Sequence, residues 1–257
     1  MTNDFEFLKI DHENDTITIR MCQPERRNVL TANNIRELVR AFSQAGDSKA
    51  TGVIIAGEGP VFCAGHDFSE LASQDLERAR QLFELCTSLM NVMQEIPQPV
   101  VARVHALATG AGCQLVAAAD LAVASEDATF CAPGGRGGLF CTTPMVAIGR
   151  SIGRKRALEM SMSGDPIDAR TAQSWGLVNE VVPSSQLASA TLALLERVTK
   201  GSAESKGIGK LAFYRQIEMQ QSEAYDFAIE VMATASQSTD SQEGIAAFLE
   251  KRAPRWR

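Results

Sequence analysis

Two glycine-containing segments of the sequence could polarise a carbonyl group. Phe62-Cys-Ala-Gly-His-Asp67 and Ala108-Thr-Gly-Ala-Gly112 each follow a run of residues typical of a buried strand. In open α/β sheets ligands bind at the carboxyl ends of strands, and the first N–H groups of a helix lack a helical partner. Two such groups converging would form an oxyanion hole, a large contribution to carbonyl chemistry. Either segment alone is more simply interpreted as a tight turn, but the pair favours a site.

Gln114 lies one turn into the helix that the second segment begins. An enzyme could hold a catalytic acid there, but an amide neither gives nor accepts a proton at neutral pH. His66, in the first segment, has the side chain that titrates nearest neutrality. The histidines at 12, 66 and 105 lack the spacing of metal ligands, so no metal site is predicted.

Several short patterns do not indicate a site. Gly149-Arg-Ser-Ile-Gly153 fits the spacing of a nucleophile elbow, but that motif needs a strand before it and this stretch is helical in pattern. Gly57-x-Gly59 is followed by Phe62 where a dinucleotide fingerprint has its third glycine. No G-K-[ST] sequence is present, so a P-loop is not predicted.

Apolar periodicity predicts the elements that would position these residues. The predicted strands and helices, in chain order, are Phe5–Ile10, Thr16–Met21, a helix from Thr31, a strand at 52–56, a helix at 76–95, a strand at 100–104, a helix from Ala111, and strands at 121–124 and 178–182. Strands that alternate with helices predict parallel β-α units, hence an α/β fold. We expect one domain, with its core in residues 1–200 and helices for oligomer contacts in residues 201–257.

Composition restricts the class of protein. The 257 residues are 45% hydrophobic and 22% charged with a formal net charge of −6, which is ordinary for a globular protein and argues against nucleic-acid binding. No apolar run reaches the ~18 residues of a membrane span. The six cysteines include no C-x-x-C pair and the first residues do not resemble a targeting peptide. These features predict a cytoplasmic protein with reduced thiols.

The motifs together resemble the crotonase, or enoyl-CoA hydratase/isomerase, superfamily. The resemblance runs in order over essentially the whole chain, through Phe62-Cys-Ala-Gly-His-Asp67, Gly110-Ala-Gly-Cys-Gln114, Gly164-Asp-Pro-Ile-Asp168 and Glu243-Gly-Ile. Ala111-Gly-Cys-Gln-Leu-Val116 and Gly138-Leu-Phe-Cys141 are similar, more narrowly, to the branch called enoyl-CoA hydratase domain-containing protein 3.

The resemblance implies a spiral of ββα units forming two roughly perpendicular sheets. It also implies that C-terminal helices assemble homotrimers, often paired into hexamers. The ligand would be an acyl-CoA thioester, with coenzyme A part of the substrate and no separate cofactor. The backbone N–H groups of His66 and Ala111 would hold its carbonyl oxygen. The coenzyme A path would be lined by Arg26, Ala64, Asp67, Lys210 and Phe213, with the last two near the nucleotide.

The sequence departs from the family where hydratases carry two glutamates. By position these fall on Gln114 and Gly134. Hydration needs a base that activates water and an acid that protonates the α-carbon. Losing one such group lowers the reaction rate roughly 10²–10⁴-fold. Ordinary hydratase activity is therefore doubtful. Two hypotheses stay open: an enzyme that stabilises a thioester enolate, for example in a decarboxylation, and a non-catalytic acyl-CoA-binding protein. The candidate substitutes for the glutamates are His66, Asp67 and Cys141, together with the carboxylates of Glu70, Glu77 and Glu84, which follow the first glycine segment.

Overall fold

The apolar runs of the sequence form two β-sheets in the computed structural model, which describes residues 5–72 and 74–256. Six strands form one sheet in the order β1-β2-β3-β5-β7-β10, and four form a smaller sheet in the order β4-β6-β8-β9. The strands are β1 (Leu8–Glu13), β2 (Thr16–Met21), β3 (Gly52–Gly57), β4 (Val61–Cys63), β5 (Val100–Val104), β6 (Leu107–Thr109), β7 (Leu121–Ser125), β8 (Thr129–Cys131), β9 (Ile167–Asp168) and β10 (Glu180–Val182).

The large sheet is parallel except at its first hairpin. β1 pairs with β2 antiparallel, and β2, β3, β5, β7 and β10 pair in parallel, as alternating strands and helices predicted. The predicted first strand, Phe5–Ile10, was wrong in its bounds. The backbone N–H groups of Glu6 and Phe7 donate to the Glu37 carboxylate at 2.9 and 2.8 Å, so this stretch is capped by a side chain instead of pairing with a strand.

A ββα unit repeats along the chain. The large-sheet strands β3, β5 and β7 are each followed by a short strand of the small sheet and then by a helix, as in β3-β4-α2 and β5-β6-α3. The helices are α1 (Ala32–Gly46), α2 (Leu76–Glu95), α3 (Ala111–Ala118), α4 (Pro144–Ile152), α5 (Arg154–Ser163), α6 (Ala169–Trp175), α7 (Leu187–Thr199), α8 (Ala203–Gln216), α9 (Gln221–Ala235) and α10 (Thr239–Leu249). The short strands were missed in the sequence because three residues show no measurable alternation.

The large sheet is covered on both faces. One face carries the main core, with Phe42, Phe62 and Phe130 completely buried. On the other face, leucines of α7 pack against Ile54 and Val101. Burial on both faces explains why β3 and β5 are continuous apolar runs rather than alternating ones. The segment around Ser151 lies in α4, as predicted, which excludes the strand that a nucleophile elbow needs.

Candidate functional site

The two glycine segments meet at one edge of the small sheet. β4 and β6 pair in parallel, so the residues that follow them emerge on the same side. A Cβ on Gly65 would lie 2.8 Å from the Thr109 carbonyl oxygen and 3.1 Å from the Ala111 backbone nitrogen. The segments are therefore in contact, and Gly65 has a φ of +78°, which L side chains rarely adopt.

A second glycine permits the same approach from the other segment. A Cβ on Gly112 would lie 2.2 Å from the Cys63 carbonyl oxygen. Gly110 precedes α3 with a φ of +57° and donates its N–H to the Cys131 carbonyl at 2.9 Å. These contacts fix the start of α3 against β4 and β8, so the position of the first helical N–H group is set by backbone packing.

The backbone of His66 is oriented by an isolated parallel bridge to Leu30. The Leu30 N–H donates to the Gly65 carbonyl at 2.8 Å, and the Asp67 N–H donates to the Leu30 carbonyl at 3.4 Å. Because Leu30 bonds the residues on either side, the N–H of His66 itself points away from Leu30. Ala111 is the first residue of α3, so its N–H has no partner within the helix.

His66 and Ala111 line the same cavity, which has a volume of about 540 Å³. Its wall comes from four stretches of chain: residues 64–71, Phe83, residues 109–111 and residues 133–144. Among the described residues that line it there is no Asp, Glu, Lys or Arg, and its titratable groups are His66 and Cys141. Such a cavity suits an apolar ligand with few polar atoms.

The His66 imidazole is packed into the wall. Its ring meets the Phe83 ring edge-on, with centroids 5.4 Å apart and planes at 84°. Both ring nitrogens are buried without a hydrogen-bond partner among the described residues, and burial lowers the pKa of the imidazole. The ring is therefore neutral at physiological pH and its nitrogens are withheld from the cavity.

The two positions that hold glutamates in hydratases offer no proton-transfer group. Gln114 is 4% exposed, does not line the cavity, and has its Oε1 buried without a partner among the described residues. Gly134 does line the cavity, but a Cβ there would lie 2.1 Å from the Leu139 carbonyl oxygen and 2.7 Å from Cys141 Sγ. The backbone thus occupies the space that a side chain at 134 would need.

The carboxylates considered as substitutes are engaged elsewhere. Glu70 accepts the Ala32 N–H at the start of α1 at 2.7 Å. Glu77 forms an ion pair with Arg80 on the surface of α2. Glu84 lines a neighbouring cavity along α2 rather than the cavity of His66.

Neither Asp67 nor Cys141 presents a free base to the cavity. Asp67 accepts hydrogen bonds from Ser69 and pairs with Arg26, and the Ser69 hydrogen bond lowers the pKa of its carboxyl. Cys141 faces the cavity, but burial raises the pKa of its thiol, which keeps it protonated. Asp67 is therefore the structural cap that such a turn usually needs.

The residues predicted along the coenzyme A path divide into two groups. Ala64 lines the cavity of His66, and Arg26 and Asp67 are ion-paired beside it. Lys210 and Phe213 line a different cavity of about 300 Å³ that shares no residue with the first. The single chain therefore does not bring the two groups together.

Lys210 has a role that its sequence position did not reveal. Its ammonium lies 2.7 Å from the Asp120 carboxylate and from the carbonyl oxygens of Met93 and Gln98. A lysine has three donors, so none is left for a phosphate. Asp120 also accepts from the Tyr214 hydroxyl at 2.8 Å. Burial lowers the pKa of Lys210 and raises the pKa of Asp120, and the ion pair opposes both shifts. This cluster joins α8 to the core.

Asn28 is a positioning residue that sequence reasoning missed. Its amide nitrogen lies 2.8–3.1 Å from the carbonyl oxygens of Glu58, Val61 and Phe62, and its Oδ1 accepts the Gln23 N–H at 3.0 Å. The residue is completely buried with a φ of +50°. It braces the loop before α1 against β4. Only its tolerance of the left-handed region, shared by many asparagines, could have drawn attention to it.

Within residues 5–72 and 74–256, no group of three or more His, Cys, Asp or Glu side chains is placed to hold a metal ion. No helix in the same ranges is long and apolar enough to cross a bilayer.

Comparisons with known proteins agree with this geometry. A family model described as enoyl-CoA hydratase/isomerase matches residues 11–257. The sequence is 40% identical over 240 residues to enoyl-CoA hydratase domain-containing protein 3, mitochondrial, of Mus musculus, covering 93% of this chain and 80% of the relative.

Solved structures give the same result. The crystal structure of an enoyl-CoA hydratase from Mycobacterium smegmatis has a TM-score of 0.94 at 40% identity, covering 97% of this chain and 98% of that one. The structure of human enoyl coenzyme A hydratase domain-containing protein 3 has a TM-score of 0.93 at 38% identity, covering 98% and 100%. These likenesses confirm the fold and the resemblance predicted from the motifs.

Proposed function

The chain belongs to the enoyl-CoA hydratase/isomerase family, and from that premise we propose that it binds an acyl-CoA thioester and polarises its carbonyl group without hydrating a double bond. The observation that carries this proposal is the contact between the glycine segments, in which Gly65 lies against the backbone nitrogen of Ala111 beside an apolar cavity. The thioester oxygen would accept hydrogen bonds from the N–H groups of His66 and Ala111, and the acyl chain would fill the cavity.

Two backbone donors at the carbonyl oxygen stabilise an enolate, because negative charge develops on that oxygen as the α-carbon loses a substituent. The donors need no proton transfer of their own. Their chemistry suits a reaction in which the leaving group departs from the α-carbon with its electrons left behind, such as loss of carbon dioxide, after which the enolate takes its proton from solvent water. Hydration differs, because water must be activated by a base and the α-carbon protonated by an acid.

A non-catalytic acyl-CoA-binding protein is the second candidate, and one observation favours it. At position 134, which holds the second glutamate in hydratases, the Leu139 carbonyl and Cys141 occupy the space that a side chain would need. The wall of the cavity is therefore packed without that side chain. A protein that only retains acyl-CoA would keep the backbone donors and the apolar wall, as observed here.

Assembly and location are part of the proposal. Apolar side chains are exposed on α8, α9 and α10, among them Phe213, Ile229, Met232 and Phe248, which supports oligomer contacts by residues 201–257 in a homotrimer or hexamer. A partner protomer could bring further groups to the coenzyme A path. The cytoplasmic prediction rests on the composition of the sequence, whereas the mouse relative is called mitochondrial; fractionation of the tagged protein would decide between the two compartments.

The proposed function is tested with two assays on the purified protein. Isothermal titration calorimetry with butyryl-CoA should show binding, and the absorbance of crotonyl-CoA should stay constant in the presence of the protein. Turnover of malonyl-CoA to acetyl-CoA would favour the enzyme, and binding without turnover of either ester would favour the non-catalytic protein. Rapid hydration of crotonyl-CoA would contradict the proposal.

A further inference from the structure

A second cavity adjoins the cavity of His66. A groove of about 560 Å³ runs along α2, and it shares two lining residues with the first cavity, Phe83 of α2 and Thr143 at the start of α4. We propose that Phe83 is the residue that sets the acyl-chain length: its ring closes the end of the first cavity, so that short acyl chains fit within this cavity and the ends of longer chains are kept out of the groove. This inference rests on the proposed function, because it takes the acyl chain to occupy the first cavity.

Phe83 stands between the two spaces in a defined orientation. Its ring packs edge-on against the His66 ring at 5.4 Å, and His66 is the residue whose backbone N–H is proposed to hold the thioester oxygen. The Phe83 ring therefore lies in the wall of the cavity that an acyl chain starting at this oxygen would enter. Thr143 contributes the opposite side of the boundary.

The chemistry of the groove suits the end of a chain rather than its thioester. Its lining is one face of α2, with Leu76, Ala79 and Phe83 at helical spacing. Leu76 is 75% exposed, so its side chain is accessible to a ligand in the groove. Arg80 and Glu84 lie at the same groove, where their charged groups can stay in water while their stems line the groove.

Binding across a series of saturated acyl-CoAs tests the proposal. Each buried methylene contributes about fourfold in affinity, so the affinity of the unmodified protein should rise from butyryl-CoA upward and stop rising once the first cavity is full. In Phe83→Ala the rise should continue for at least two more methylenes, giving about 16-fold tighter binding of the longest esters. Phe83→Leu, which keeps apolar packing, should give an intermediate chain-length limit and guards against loss of folding.

Two matched variants distinguish binding of the acyl chain in the groove from a general change in affinity for the first cavity. Phe68 lines the first cavity alone, so Phe68→Ala should weaken the whole series without moving the limit. Ala79 lines the groove alone, so adding Ala79→Phe to Phe83→Ala should return the limit to that of the unmodified protein.

An unchanged chain-length limit in Phe83→Ala would overturn the role of Phe83. A limit that stays extended in the double variant would overturn the role of the groove. If no acyl-CoA binds, butyryl-CoA included, the proposed function itself fails and the inference fails with it. Failure of the proposed function is distinguishable from failure of this inference, because only failure of the proposed function abolishes binding of short-chain acyl-CoAs.

Discussion

Gly65 and Ala111 touch through their backbones, with the position of a Cβ on Gly65 only 3.1 Å from the Ala111 nitrogen. The contact joins the end of β4 to the first turn of α3, two places separated by 46 residues in the chain. It places an unpartnered helical N–H beside the residue that precedes His66. The same contact leaves no room for a side chain at position 65.

Gly134 should resist the substitution that would restore a hydratase glutamate. A Cβ at this position meets the Leu139 carbonyl at 2.1 Å, and such overpacking costs about 1–3 kcal/mol. Gly134→Ala should lower the midpoint of thermal unfolding by about 4–8 °C, measured by circular dichroism. Gly137→Ala is the matched control, because nothing lies within 4 Å of a Cβ there, and it should change the midpoint little.

It follows that Gln114→Glu combined with Gly134→Glu should not gain crotonyl-CoA hydration as a simple exchange of side chains. The loop of residues 133–143 would have to move before a carboxylate at 134 could reach the cavity. Activity in the double variant, with an unchanged melting midpoint, would show that the loop has more freedom than its contacts imply.

His66 should make the protein sensitive to mild acid. Burial lowers the pKa of its imidazole in the folded state, so the unfolded chain, with an ordinary pKa of about 6.5, takes up a proton first. The contribution of His66 to the free energy of unfolding is therefore complete above about pH 6.5 and decreases as the pH falls below that value.

The measurement is the melting midpoint between pH 7.5 and pH 5.5. His66→Gln should lose less of its stability over this range than the unmodified protein. His12→Gln, a change at an exposed residue of β1, should follow the unmodified protein. Equal acid sensitivity in His66→Gln would mean that the imidazole is not the buried neutral group described above.

Asn28 should be far less replaceable than an exposed asparagine of the same backbone conformation. Asn28 and Asn14 both have φ near +50°, but only Asn28 is buried and bonded to four backbone groups. Asn28→Ala should cost about 3 kcal/mol through lost hydrogen bonds, and Asn14→Ala about 1 kcal/mol through backbone strain. Chemical denaturation of both variants checks this, and equal losses would contradict the bracing role.

Lys210 should contribute to stability and not to binding of coenzyme A within a protomer. Removing one partner of a buried pair costs about 3–5 kcal/mol, so Lys210→Met should unfold roughly 10 °C earlier. Its affinity for coenzyme A, measured below that temperature, should change less than twofold. Lys206→Met, at the edge of the same cavity, is the control and should change stability little. A tenfold loss of coenzyme A affinity in Lys210→Met would restore the predicted nucleotide contact.

The sequence could predict the parallel sheet and the two glycine segments because both depend on local signals. Apolar runs such as residues 52–57 and 100–104 are long enough to be identified, and Gly65 and Gly112 stand where a close backbone approach needs them. The resemblance added the roles of His66 and Ala111, which no local pattern carries.

Other parts of the site could not be predicted because they depend on distant contacts. Lys210 forms an ion pair with Asp120, which lies 90 residues earlier in the chain, and no local sequence pattern near either residue predicts this pair. The lack of space for a side chain at position 134 depends on the path of the loop that follows it. The packing of the His66 ring depends on Phe83 of α2. The residue types at positions 114 and 134 predicted that the two carboxylates are missing. They did not predict that position 134 lacks space for a side chain.

The most direct test of the central claim removes one backbone donor. Ala111 is the first residue of α3, a position that accepts proline, so Ala111→Pro deletes the N–H while Ala111→Gly keeps it. The thioester C=O stretch of bound ¹³C-labelled butyryl-CoA, measured by infrared difference spectroscopy, should shift to lower frequency in the unmodified protein and in Ala111→Gly. The shift should be strongly reduced in Ala111→Pro, and a shift of the same size in all three proteins would contradict the account.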